Sequence, residues 1–192
     1  MKRLAIILVV LFGTFFLRAQ QQETLESEIK STRFGVFGGP LFGFGKSADQ
    51  QTFIAGGGGG IIINDFWIGR YRAGIAAPIL QNENHHFKGF DYGGMWLGYA
   101  QNADKWIHPI YSVKFGNGQL RWAASENGTV ITDQAYVVLP EVGAEVSVAS
   151  FFRLTATVGY RHTFGIDEVR SHFSNKDFRS WEAGLMLKFG IF

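Results

Sequence analysis

The 192-residue chain has no cysteine, which excludes a disulfide framework and a thiol-linked lipid anchor. It has only 4 prolines, and beyond residue 17 no apolar run approaches the ~20 residues of a helical membrane span. Net charge is also scarce, since the formal value of +2 is too small to point to nucleic acid. Stability must come from backbone pairing and packing. Glycine, at 25 residues, and aromatics, at 16%, are both plentiful.

Residues 1–20 combine a basic start at Lys2-Arg3, an apolar run from Leu4 to Leu17, and Arg18-Ala19-Gln20. That order reads as a secretory signal peptide cut near Ala19, with an uncleaved anchor as the other reading. Leu17 and Arg18 depart from the small residue expected two before the cut. Residues 21–32 are polar and weakly patterned, and are read as a periplasmic lead-in, or alternatively a short partner-binding segment. Residues 33–192 suffice for one domain.

Within that domain the residues alternate with period 2. In the final stretch Trp181, Ala183, Leu185, Leu187, Phe189 and Ile191 share one parity, and Ser180, Glu182, Gly184, Met186 and Lys188 share the other. Eight such runs are expected, at 33–45, 52–63, 66–76, 89–100, 106–120, 135–148, 151–165 and 179–192. Each has the length a tilted membrane strand needs and exceeds the usual soluble strand of ~5–6 residues. The connections after runs two, four and six are short (64–65, 101–105 and 149–150), whereas the others (46–51, 77–88, 121–134 and 166–178) are longer and more polar. With both ends in the periplasm, this sorting predicts an all-β fold: an eight-stranded antiparallel up-and-down transmembrane β-barrel with short periplasmic turns and longer extracellular loops.

The charged parity is expected to point inward. It carries Arg70, Arg72, Lys114, Arg153, Arg161 and Lys188 against Glu141, Glu145 and Glu182. A lumen this narrow fills with side chains, and unpaired charges there are costly, so a salt-bridged plug is expected. The expected pairs are Glu141 and Glu145 with Arg153 or Arg161, and Glu182 with Arg161. Trp67, Trp106, Phe152, Phe189 and Phe192, with Tyr99 and Phe151, are expected at the periplasmic membrane interface, and Phe164 and Trp181, with Phe90, Tyr92 and Tyr136, at the outer one. Outward small residues such as Gly69, Ala73, Gly94 and Gly98 would let another barrel approach closely.

Three places fit less well. Run four has no clear parity because Trp96 and Leu97 adjoin, and Pro140 predicts a bulge or distortion. Phe192 is out of phase with the apolar face of its own run. Glycines 56–60 read as small positions beside bulky neighbours, because the following Ile61-Ile62-Ile63-Asn64 lacks the Lys-Ser/Thr of a phosphate loop.

Gly56 to Ile63 with Phe66-Trp67-Ile68-Gly69, Gly93 to Tyr99 followed by Ile107-His108-Pro109, Val158 to Arg161 through Gly165-Ile166-Asp167, and Leu187 to Phe192 carry a resemblance. The chain resembles the small outer-membrane barrels of Bacteroidota, and more loosely the OmpA/OmpX type. The resemblance implies location and fold, in a family without an assigned activity.

A lipid A deacylase of barrel type needs a His and a Ser two apart on one face, and His162 has only Tyr160 and Phe164 beside it. His85-His86 is a weak metal candidate, His108 reads as a rim residue, and His172 with Ser171, Ser174 and Asp177 is a weak triad-like cluster. The expectation is therefore a non-enzymatic structural or accessory barrel without cofactor or metal, acting by contact or as a subunit of a larger outer-membrane complex. Its other partners would be outer-membrane lipid, lipopolysaccharide and, during insertion, the barrel assembly machinery. The alternative is a lipid A-modifying enzyme or a binder of a small hydrophobic ligand.

Overall fold

The computed structural model describes residues 32–47, 50–75, 81–82, 85–123, 129–171 and 173–192, with backbone only at 81, 82, 85, 86, 168 and 170. The signal peptide and nearly all of the lead-in expected from the sequence lie outside the described residues. Eight long strands form the wall: β1 (Phe34–Ser47), β2 (Gln50–Ile63), β3 (Phe66–Ile75), β4 (His85–Ala100), β5 (Ile107–Ala123), β6 (Ile131–Ala149), β7 (Phe152–Phe164) and β8 (Ser180–Ile191). A two-residue strand, Gln81–Asn82, pairs with the N-terminal end of β4.

Every strand pairs antiparallel with its sequence neighbours, and β1 pairs with β8, so no edge is left open. The closure is staggered. A line of hydrogen-bonded partners starting at Ile75 runs through Ile54, Gly43, Gly184, Thr157, Gly143, Ile110 and Ala100. Ala100 then donates to the carbonyl of Asp65, so the line returns to the start of β3 ten residues from where it left. Such a stagger makes the strands tilt by about 35–45°.

The short connections and both ends of the barrel lie at one end, here called the turn end. There the two-residue Asn64-Asp65 turn uses a positive φ of 58° at Asn64, a conformation Asn tolerates well. At the opposite, loop end, β4, β5 and β6 run several residues beyond the expected limits, and β1 and β2 continue to Ser47 and Gln50. The first connection at the loop end is therefore as short as a turn, correcting the expectation of a longer loop. Pro140 interrupts the β6–β7 ladder between Val138 and Glu141 without shifting its register, and the two register shifts lie at Phe87/Gly89 and Ser147/Ala149.

Outside, the wall is apolar at most positions: Val36, Ile61, Ile68, Leu97, Phe115, Val142, Val158 and Leu185 are all exposed. Aromatic pairs band both ends, with Phe66–Tyr99 and Phe152–Phe189 at the turn end and Phe44–Phe53, Tyr136–Phe164 and Tyr160–Trp181 at the loop end. Trp106 is also strongly exposed at the turn end.

Candidate functional site

The lumen has two unlike halves. β1 to β4 line theirs with Phe37, Leu41, Ile54, Trp67, Tyr71, Phe90, Tyr92 and Trp96, all buried. Inward glycines make room for these rings: a Cβ on Gly98 would lie 1.9 Å from the Trp67 ring, and one on Gly58 would lie 3.4 Å from Trp96. β5 to β8 line the other half with Lys114, Glu141, Glu145, Arg161, Glu182 and Lys188, all buried charges.

These charges are stacked in three tiers along the barrel. Nearest the turn end, Glu145 pairs with Lys188 and with Arg153 (3.0 Å), and accepts from the Thr155 hydroxyl at 2.7 Å. His108 brings its Nε2 to 3.4 Å from the same carboxylate. In the middle tier Lys114 pairs with Glu141 at 2.9 Å, and Ser112 and Thr157 donate to that carboxylate. Toward the loop end Arg161 pairs with Glu182 at 3.1 Å, while Tyr92 donates its hydroxyl to Glu182 at 3.0 Å from the aromatic side. The cations also meet the aromatic half directly, with Lys188 4.6 Å from the Trp67 ring and Lys114 5.0 Å from Trp96. Each buried charge thus has an opposite charge or several donors in contact, as a dry interior requires.

Both ends of this core are capped. At the turn end Arg153 stacks over Phe192 at 4.1 Å, beside a cavity of about 260 Å³ that Trp67, Asp104 and Lys188 also line. At the loop end a 3-10 turn, Asn175–Phe178, drops the fully buried Phe178 against Phe87 and Phe90. Ser174 and Asp177 cap that turn reciprocally, and Arg161 and Thr163 both donate to the Phe178 carbonyl. Phe173 and Phe178, five residues apart in a polar loop, make no strand-like alternation, so sequence reasoning missed this lid.

Several expected positions need correction. Arg70 and Arg72 are exposed on the outside of β3, and the inward residues of that strand are Trp67, Tyr71 and Ala73. Assigning faces by charge inverted this strand, because its half of the lumen is aromatic. Trp67 is therefore a core residue instead of an interface one, as are Phe90 and Tyr92, and Phe192 packs against the core beneath Arg153. Gly69, Ala73, Gly94 and Gly98 share the inward parity, so they offer no outward stripe. Glu141 takes Lys114 as its partner in place of an arginine. β4 has a definite parity, with Trp96 inside and Leu97 outside.

The triad-like cluster dissolves into loop structure. The Ser171 hydroxyl donates to the carbonyls of Asp167 and Phe173, Ser174 and Asp177 serve as caps, and His172 lies outside the described residues. His162 is exposed, with its ring against Tyr160 at 4.7 Å. Among the described residues no three His, Cys, Asp or Glu side chains gather as a metal site.

No family model matches the chain. No curated protein sequence matches it either. Among solved structures, the N-terminal β-barrel domain of Pseudomonas aeruginosa OprF superposes with a TM-score of 0.56 at 12% identity, covering 84% of this chain and 100% of that one. Neisserial surface protein A gives 0.55 at 14% identity over 84% and 99% of the two chains. Ail, the attachment invasion locus protein of Yersinia pestis, in complex with the heparin analogue sucrose octasulfate, gives 0.52 at 12% over 83% and 99%. The chain therefore has the fold of the eight-stranded outer-membrane barrels.

Proposed function

We propose that this protein resides in the outer membrane, with both chain ends in the periplasm, and that it works by contact, as a structural or accessory barrel, without conducting or catalysing. The observation that carries the reading is the lumen, where three tiers of paired charge pack against an aromatic half-wall beneath the Phe178 lid. An eight-stranded barrel has room for side chains or for a channel, not both. The exposed apolar wall between two aromatic bands suits lipid, and a water-facing surface of that kind would aggregate. Its partners on this reading are lipid, lipopolysaccharide, the barrel assembly machinery during insertion, and a larger outer-membrane complex.

Two measurements test the reading. Purified protein in planar bilayers is expected to show no steady current, and reproducible conductance at the nanosiemens level would refute the closed lumen. Lipopolysaccharide incubated with the protein is expected to keep its acyl content by mass spectrometry; a changed acyl count would make the protein an enzyme.

A further inference from the structure

The outward face of β3 breaks the apolar wall. Phe66 and Ile68 begin it, and Arg70 and Arg72 follow, both exposed. Strands rise ~3.3 Å per residue and tilt by ~40°, so each residue climbs roughly 2.5 Å, which puts Arg70 about 10 Å and Arg72 about 15 Å above Phe66 in an apolar band ~25 Å tall. Both guanidinium groups thus start from the middle of the span. Among the described residues neither makes an ion pair. Nor do neighbours cover them. Arg72 lies between Gly57 and Gly93 and Arg70 between Gly59 and Met95, so a shallow furrow floored by glycine backbone runs beside both stems. Higher on the same wall Asn117 and Gln119 continue the polar strip, and Arg121 pairs with Asp91.

The occupant follows from charge and depth. Asp91 is the one carboxylate on the outward face of the described strands, and Arg121 holds it. A second copy docked here would therefore set arginine against arginine. Phosphates of lipid lie at the rims, and Arg70, near mid-span, is further from either than its side chain reaches. A single partner that meets both Arg70 and Arg72 at this depth comes from the side, within the membrane. We propose that this wall seats a different membrane protein, one that presents Asp or Glu at mid-depth and lays its backbone close to the furrow of Gly57, Gly59 and Gly93. This rests on the reading of the chain as a membrane-spanning barrel.

The test is co-purification of the full chain from its native membranes in mild detergent, comparing wild type with Arg70→Leu/Arg72→Leu, Arg70→Lys/Arg72→Lys, and Val142→Leu on the far wall. The wild type, the lysine pair and V142L are expected to retain a stoichiometric protein partner, and the leucine pair to lose it at least tenfold. The partner is expected to carry a membrane-facing carboxylate whose amide substitution causes the same loss, and exchanging charges between it and Arg70 is expected to restore the complex. The leucine pair removes outward charge from lipid, so it is expected to fold at least as well as the parent, as read from unfolding in the same detergent. Undiminished partner with the leucine pair would overturn the proposal. So would a particle of two copies of this chain, or retained lipopolysaccharide phosphate with no protein. Density fractionation separates the two layers of argument, since a barrel absent from the membrane fraction defeats the membrane reading, while one present there without a partner defeats only this proposal.

Discussion

Arg161→Met is the most informative single change to the lumen. The guanidinium is fully buried and makes five hydrogen bonds: to Glu182, to the Tyr92 hydroxyl, to the carbonyls of Phe178 and Lys46, and to the Ser47 hydroxyl. Without it Glu182 keeps only the Tyr92 hydroxyl as a donor. Removing one partner of a buried ion pair costs about 3–5 kcal/mol, because the other charge stays dry and uncompensated. Glu182→Gln leaves Arg161 its four other acceptors, so its loss should be smaller, at about 1–3 kcal/mol. The double variant removes both charges and should be more stable than the two single losses predict, with a coupling of about 1–3 kcal/mol. The assay is reversible urea unfolding in lipid vesicles, followed by tryptophan fluorescence. An Arg161→Met loss under about 1 kcal/mol, or strict additivity in the double variant, would refute the account of the lumen as a tight ionic plug.

Three other outcomes follow from the packing. Gly98→Ala places a methyl against the Trp67 ring and should cost about 1–3 kcal/mol in the same unfolding assay, with Trp67→Leu recovering part of it. Phe178→Ala should cost about 3–5 kcal/mol and open the fourth loop to trypsin at Lys176 and Arg179, seen as a cut band on a denaturing gel. In the isolated barrel in lipid, Arg70→Leu and Arg72→Leu should each stabilise by roughly 2–4 kcal/mol, the amount an arginine costs on a lipid face at the midplane. Destabilisation would mean that these side chains are held within the fold.

Strands and closure were legible because every wall residue faces one side or the other, and β7 and β8 alternate apolar and polar with few exceptions. Arg161 and Glu182 meet because their inward parities lie on neighbouring strands, a diagonal step apart. β3 misled for a physical reason: a plugged lumen needs bulk as much as charge, and Trp67 and Tyr71 supply the bulk while Arg70 and Arg72 point away. β4 was ambiguous for the same reason, since Trp96 inside and Leu97 outside are both apolar. The Phe178 lid left one local signal in the sequence, the Ser174/Asp177 cap, which marks the start of a turn and not what the turn buries.

The lid separates two kinds of change at the loop end of the barrel. Phe178 and its carbonyl are gripped from within by Arg161 and Thr163, whereas Val169 and Lys176 on the same loop face solvent and hold nothing in the core. Substitution at these exposed positions leaves the buried anchor intact, so the loop keeps its path. A binder that reads side chains would be shed by such drift, and one that reads the contour of the chain would keep its hold.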